Sequence, residues 1–501
     1  MDEKKDHFCV VIPKPKKPMD EKVDKLLIDS KEPKKQLMDK KKEKLPVDST
    51  ELEPEILMDG ERDNLAIDIS QRLDLVSKES KEFYDGNSSA ETSFKFCIPR
   101  VPMHLRDLNG KAYEPQIIAI GPYFPRDKPH FGLMEEQKLR CLEMLVRRTG
   151  DPVEKYLKRM RELAESALAC YADPVYLTRD QFVEMLLFDA CFIVEQFRCW
   201  CGDGELKLRK GKEKNPVFDS CWICKKLACD LLLAENQLPF FVLWEFFKMT
   251  GESNEPDSFL EIIPPFFVSL LPRGWNRETE GLNIKEIKHL LSFIHDLGVY
   301  PLVRTMVTEG DDWEFMRCAT ELQEAGIKFT MTEQDSLLKI KFENGTMEIP
   351  RLRVDYETES FFRNLIVYEQ FYPKDSVPFT DYIKFMDCLV NSGKDVQLLC
   401  RRKILHNCLG DDEMVANMFN RLLDSVPLSS CNRYKNIYMD VNKHCSRRQN
   451  RWMANLRRNY FNTPWAFISF LAAVLLLLLT LAQTVFSVLA YFKSDRSPVN
   501  I

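Results

Sequence analysis

The chain lacks the short motifs that most often announce an active site. It has no G-x-x-x-x-G-K-S/T phosphate loop, no G-x-G-x-x-G dinucleotide turn, no H-E-x-x-H zinc helix and no G-x-S-x-G nucleophile elbow. Histidine is scarce, seven in 501 residues, and no two stand at metal-ligand spacing. No cofactor or metal is therefore expected, and an enzyme is the weaker expectation. The N-terminus, MDEKKDHFCVVIPKPKKP, lacks the apolar core of a secretory signal. A basic excess is missing too: 71 Lys and Arg face 77 Asp and Glu, a net charge of -6, which argues against a nucleic-acid binder.

Charge itself is absent from one stretch. From Thr463 to Phe492 no side chain is charged. At ~1.5 Å per helical residue, Trp465–Phe492 spans roughly 40 Å, enough to cross a ~30 Å hydrocarbon layer with some tilt. Trp465 opens the run and Tyr491 closes it, where interfacial aromatics sit. The expectation is a transmembrane helix over 464–492 that contacts the lipid bilayer, with a short tail at 493–501. Arg447, Arg448, Arg451, Arg457 and Arg458 crowd its N-terminal side, against Lys493, Asp495 and Arg496 beyond it. The positive-inside rule then places the large N-terminal portion in the cytosol, as in a tail-anchored protein, and does not separate plasma membrane from endomembrane. Sixteen cysteines fit that compartment as reduced core residues. The sequons at Asn87 and Asn344 would go unused.

Residues 1–92 are rich in Lys, Glu, Asp and Pro and poor in aromatics. Met-Asp recurs at 19–20, 38–39 and 58–59, a degenerate repeat of about 20 residues with too little apolar surface to offset ordering entropy. A disordered tail is expected there. A globular domain is expected over 93–430, and a basic, aromatic juxtamembrane segment over 431–463. Helical signals dominate the domain. Asp151-Pro152-Val153-Glu154 and Thr178-x-x-Gln181 read as capping boxes. Helical periodicity covers about 134–148, 181–199, 218–234, 239–249, 284–297, 313–325, 357–371, 380–391, 395–408 and 412–425. One stretch alternates instead: Ile327, Phe329 and Met331, then Leu338, Ile340 and Phe342, with Asn344-Gly345 supplying a type I′ turn. The fold class is mostly α, with a small antiparallel sheet at about 327–354.

Polar residues embedded in apolar helices are the candidate site. Asp189 lies inside MLLFDACFIV, Glu235-Asn236-Gln237 interrupts LLLA and LPFFVLW, and Arg363-Asn364 and Glu369-Gln370 flank LIVY. Burying a carboxylate without a partner is costly, so Asp189 and Glu235 should meet donors or cations, with Arg363 the obvious one. Two readings follow. The three side chains form a carboxylate-lined pocket with acid–base capacity, or a hydrogen-bonded network that fixes helix register. Without a nucleophile or metal motif, the structural network is the better reading. Cys221-Trp-Ile-Cys224 has zinc or redox spacing, but it sits in an apolar helical pattern that suits core cysteines better.

Several longer motifs in fixed order carry a resemblance. They are Ile98-Pro-Arg-Val-Pro102, Tyr113-Glu-Pro115, Ile120-Gly-Pro-Tyr123, Met134-Glu-x-x-Lys138 and Phe182-Val-Glu-Met-Leu-Leu-Phe-Asp189. Leu233-Ala-Glu-Asn-Gln-Leu-Pro-Phe240, Ala319-Thr-Glu-Leu-x-x-Ala-Gly326, Arg363-Asn-Leu-Ile-x-x-Glu-Gln370 and Tyr460-Phe-x-x-Pro-Trp465 follow. Together they resemble the plant family called domain of unknown function 247, over about residues 94–492. The family commonly continues its Gly-Pro-Tyr with His, where this chain has Phe124. The resemblance implies a plant protein with a C-terminal membrane helix, no settled biochemical activity, and a role in recognition or signalling through protein partners whose identity is unknown. A membrane-surface enzyme and a structural tether are the alternatives.

Overall fold

A computed structural model describes residues 98–200, 220–251, 256–273, 275, 278–299, 314–333, 336–372, 377–428, 432–446 and 464–494. They belong to the second of two units, Thr92–Ile501. The expected charged tail at 1–92, the Asn87 sequon, and Arg457 and Arg458 lie outside the described residues.

The first helices are α1 (Met103–Asn109), α2 (Gly132–Thr149), α3 (Val153–Leu168) and α4 (Arg179–Trp200). Helix α4 is apolar on nearly every face and is accordingly a buried helix, with Phe192, Ile193, Val194 and Phe197 fully enclosed. Helices α2 and α3 pack against it. Helix α3 is amphipathic and turns a single stripe inward, Tyr156, Met160, Ala164 and Ala167. Thr178 and Gln181 cap α4 reciprocally, as their spacing predicts: each backbone N–H donates to the other's side chain, at 2.9 and 3.3 Å. Asp151 does not cap α3. Its carboxylate accepts from Lys155 at 2.6 Å and from the Tyr156 hydroxyl at 3.3 Å, because the ammonium one turn on competes for it.

Next come α5 (Cys221–Asp230), α6 (Phe240–Thr250), α7 (Pro256–Glu261), α8 (Pro264–Phe267), α9 (Leu290–Val299) and α10 (Ala319–Glu324). Strands β1 (Lys328–Thr332), β2 (Lys341–Glu343), β3 (Thr346–Pro350) and β4 (Leu352–Val354) then precede α11 (Thr358–Phe371), α12 (Pro378–Leu389) and α13 (Gly393–Arg401). Strand β5 (Leu405–Asn407), α14 (Asp412–Leu422), α15 (Lys435–Ser446) and α16 (Pro464–Ser494) complete the order. Helix α11 is the second buried axis: Phe361 through Glu369 are all enclosed, and α9, α12 and α14 pack around it. Apolar side chains from α1 through α15 join one core.

The helical class with a small sheet is as the sequence predicts, and so is the hairpin. Asn344 and Gly345 both take positive φ, +51° and +75°, which is the type I′ geometry. The sheet is mixed, not purely antiparallel. Its order is β1-β3-β2, with β3 antiparallel to β2 and parallel to β1. The eight residues between β1 and β2 carry no tight-turn signal, and Leu337, Leu338 and Ile340 among them are buried, so the link packs onto the core instead of reversing directly. Alternation fixes which face is buried but not which neighbour a strand takes. Strand β4 leaves this sheet and pairs in parallel with β5. Helical periodicity at 395–408 therefore overran: α13 stops at Arg401, Lys403 turns through φ +61°, and the chain re-enters as a strand.

Helix α16 is unlike the others. Its segment Phe467–Ala490, 24 residues of mean hydropathy 2.3, has no buried residue. At ~1.5 Å per residue that is roughly 36 Å. Among the described residues it is the one helix long and apolar enough to cross a membrane. A core helix passing the same test would be buried, and a signal sequence would lie at the other end of the chain. Trp465 is exposed at its start. The helix runs past Tyr491, whose side chain lies outside the described ones.

Candidate functional site

The segment from Gln116 to Gly121 belongs to no helix or strand, yet Ile118, Ala119, Ile120 and Gly121 are buried. Buried backbone N–H and C=O groups need partners. Here side chains from surrounding helices provide them. Asp230, at the end of α5, accepts from the N–H groups of Gln116, Ile117 and Ile118 at 2.8–3.0 Å. Asn236 accepts from Ile120 N–H at 2.7 Å and donates to Ile118 O at 3.1 Å. Lys138 of α2 donates to Ala119 O at 2.6 Å, and Gly121 N–H donates to Asp189 of α4 at 2.8 Å. Gly121 is at φ +71°, and a Cβ there would lie 2.5 Å from the Gln237 carbonyl.

Asp189 is fully buried and takes two cations, Lys138 at 2.8 Å and the Arg126 guanidinium through both of its terminal nitrogens. Burial works against its charge, but Arg126 and Lys138 together hold the carboxyl below the usual aspartate range. Glu135 bridges the same two cations from the partly exposed side. Glu235, also fully buried, accepts from Val101 N–H at 2.5 Å, Arg106 at 2.6 Å and Arg100 at 3.1 Å. The Arg100 guanidinium in turn lies 4.0 Å from the centre of the Tyr123 ring. Gln237 donates to the carbonyls of Leu231 and Leu233, both at 2.8 Å, and accepts from Leu291 N–H of α9 at 3.3 Å. Glu235, Asn236 and Gln237 thus reach three different neighbours. Phe124, at the position where the family commonly has His, is a core residue.

Arg363 does not meet Asp189 or Glu235. Its guanidinium donates to Glu359 one turn back at 2.8 Å and to the Arg421 carbonyl of α14 at 3.1 Å. The expected pairing fails because Arg100, Arg106, Arg126 and Lys138, on or beside the buried segment, occupy the two carboxylates first. Asp189, Glu235 and Arg363 are therefore not ion-paired with one another. The buried side chains around 116–121 form a seam, and Asn364 extends it, accepting from Ala234 N–H at 2.8 Å and donating to Ala112 O at 2.9 Å. Glu369 closes a second junction. It accepts from the N–H groups of Phe379 and Thr380 at the start of α12, from the Thr380 hydroxyl, and bonds His295 of α9 at 3.0 Å. Burial opposes the charge of His295, yet its bonds to Asp296 and Glu369 hold its pKa above the usual histidine value. Burial pushes Asp230 and Asp381 up to about 7.

Chemically, the carboxylates of the seam are saturated by donors. Cys221 is exposed and Cys224 buried on α5, neither in a disulfide, and among the described residues no group of three or more His, Cys, Asp or Glu is arranged to hold a metal ion. Arg126 and Asp230 were not singled out in the sequence, and Lys138 stood there only as the end of a family motif. Their signal was position alone: a cation just after Gly-Pro-Tyr, another in Met134-Glu-x-x-Lys138, and an acid ahead of an apolar run.

The family described as plant protein of unknown function, DUF247, matches residues 98–479. UPF0481 protein At3g47200 of Arabidopsis thaliana is 30% identical over 433 residues, covering 81% of this chain and 88% of its own. Putative UPF0481 protein At3g02645 of Arabidopsis thaliana is 21% identical over 499 residues, covering 80% and 92%. No solved structure matches the chain.

Thermal unfolding of the full chain in detergent micelles tests the seam. Asp189→Ala leaves the Gly121 N–H without its acceptor and leaves Lys138 and Arg126 to share Glu135 alone, so it should cost ~3 kcal/mol and lower the melting temperature clearly. Gly121→Ala should also destabilise, by strain at positive φ and the clash with Gln237. A melting temperature unchanged in both variants would show that the seam does not hold the domain together.

The pH profile of the same transition has a definite sign. Asp230 and Asp381 stay protonated in the folded chain above the unfolded value of ~3.9, so stability falls as pH rises from ~4 to ~7. His295 adds to the fall: its contribution is complete below the unfolded value of ~6.5 and is lost as pH rises through the higher folded value. Asp189 acts oppositely, its contribution being lost as pH falls below ~4, so stability should peak near pH ~4–5. Asp230→Asn should flatten the descent, and a wild-type melting temperature that rises from pH ~4 to ~7 would contradict this account.

Proposed function

The chain belongs to the DUF247 family of plant proteins, and from that premise we propose that it is a tail-anchored, single-pass membrane protein whose helical domain faces the cytosol and binds other proteins. The observation that carries this reading is α16, a helix of membrane-spanning length with no residue of its apolar segment buried. In water such a surface would be an aggregation liability, and a bilayer removes it.

Two further features support the binding role. The carboxylates best suited to acid–base chemistry, Asp189 and Glu235, are fully buried and committed to cations and backbone donors, which suits a scaffold better than an active site. Two exposed aromatics, by contrast, stand on elements that are joined by ion pairs. Lys225 pairs with Asp355 at 2.8 Å and Lys226 with Glu357 at 2.6 Å, holding α5 against the start of α11. Trp222 and Tyr356, 62% and 75% exposed, stand beside those pairs. Exposed Trp and Tyr are the side chains most enriched at protein contacts.

The test is expression in plant cells with a biotin ligase fused to the N-terminus. The full chain should resist carbonate extraction from membranes and label cytosol-facing proteins. Ending the chain at Phe461 should release a soluble, helical protein. Trp222→Ala with Tyr356→Ala should lose a subset of the labelled partners without changing membrane association. Glycan on Asn87 or Asn344, or membrane retention without α16, would overturn the orientation or the anchor.

A further inference from the structure

Strands β4 and β5 pair in the register Leu352↔Leu405, Arg353↔His406 and Val354↔Asn407. Alternation sends Leu352, Val354 and Leu405 into the core. It leaves Arg353 and His406 directly opposite each other on the outer face, with Arg351 two residues earlier on the same side. A parallel pair is ordinarily covered on both faces. Here the outer face instead lines a cavity of about 250 Å³, walled by the 268–273 segment and the first turns of α11. Arg273, Arg351, Arg353 and His406 line it together with Phe361 and Phe362. Arg351 and His406 also line an adjoining cavity of about 370 Å³, into which Lys403 enters from its φ +61° turn.

The acids in these walls are Asp355 and Asp412. Asp355 accepts from Lys225 at 2.8 Å, from Glu357 N–H at 3.1 Å and from the Thr358 hydroxyl at 3.2 Å, and stands 3.7 Å from Arg353. Asp412 accepts from Asn407 at 2.9 Å. Among the described residues Arg273 and Arg351 have no ion-pair partner. Three guanidiniums and an ammonium thus face two adjoining spaces whose acids are already engaged. Cations gathered on one strand face repel one another until an anion enters between them.

We infer that the two cavities together bind a small polyanion carrying two phosphate groups, with Arg351, which lines both cavities, reaching both groups. Phosphate fits better than carboxylate: it brings up to two charges and three acceptor oxygens, which match the fork of arginine. The phenylalanine lining and the modest volume favour a compact frame, such as pyrophosphate or a bisphosphorylated polyol, whether free or as a lipid headgroup. This site stands on different residues from the seam and does not depend on the protein-binding reading.

Calorimetric titration and thermal shift of the full chain in detergent micelles test it, with inorganic phosphate, pyrophosphate and inositol bisphosphate as probes. Pyrophosphate or inositol bisphosphate should bind at least ~10-fold more tightly than inorganic phosphate and raise the melting temperature, and the affinity should fall with added salt. Arg351→Gln with Arg353→Gln should weaken binding ~10-fold or more, a difference of ~1.4 kcal/mol, while Arg402→Gln, outside both cavities, leaves it unchanged. If the double variant does not fold, Arg273→Gln, at an exposed position, makes the same comparison. Reconstituted protein given phosphatidylcholine vesicles, with and without a bisphosphorylated inositol lipid, separates the sources: competition by the lipid against the free probe identifies a headgroup, and its absence a soluble ligand. No binding of either bisphosphate, inorganic phosphate binding as tightly, or wild-type affinity in the variants would each overturn the inference.

Discussion

Gln116 to Gly121 crosses the interior without the ladder that a helix or sheet would give its backbone. Each of its N–H and C=O groups taken into the core therefore has to find a side chain, because an unpaired one costs ~1–3 kcal/mol. Four helices or their extensions are held in place by that requirement: α2 through Lys138, α4 through Asp189, α5 through Asp230, and the turn before α6 through Asn236. The carboxylates are then kept ionised or neutral by what surrounds them. Asp189 faces two cations that pull it down against burial, whereas burial pushes Asp230 up to about 7 against its backbone donors. One constraint on an irregular segment thus fixes both the arrangement of the helices and the titration of the core.

The same constraint explains what the sequence disclosed. Asp189, Glu235, Asn236 and Asn364 were conspicuous because each interrupts an apolar helical run, and all four prove to be stitching residues. Their partners were inconspicuous. Arg126 and Lys138 lie in ordinary polar surroundings, and nothing local distinguishes a lysine that is fully buried from one that is solvated. Arg363 looked like the natural counter-ion because it too interrupts an apolar run, but pairing is settled by three-dimensional proximity. The motifs that carry the family resemblance, from Ile98-Pro-Arg to Glu369-Gln370, supply most of the seam's side chains. The resemblance is in that sense a resemblance of internal wiring.

The fold was legible where periodicity is strong and ambiguous where partners decide. Helices α2, α4, α11 and α12 lie within about two residues of their predicted ends, since each buries a face long enough to read. Strand direction was not readable, because alternation in Phe329, Met331 and Met347 is the same in a parallel or an antiparallel pair. Nor was β5, three residues that periodicity assigned to the end of a helix. Its outer face, with Arg351, Arg353 and His406, becomes visible as a cluster only once β4 and β5 are paired.

The seam also sets a timetable. Asp230 and Asn236 are 112–116 residues later in the chain than the N–H groups they satisfy, and Asn364 is 252 residues beyond Ala112. Lys138 and Asp189 follow within 19 and 68 residues, but at ~5–20 residues per second a nascent chain waits roughly 6–23 s for Asp230 and Asn236 and 13–50 s for Asn364. During that interval Ile117, Ile118 and Ile120 have no finished core to enter, and their backbone is open to pairing with any passing strand edge. Chaperone contact with a newly made chain should accordingly concentrate at 112–121 and end when α11 has emerged, before the apolar α16 is synthesised.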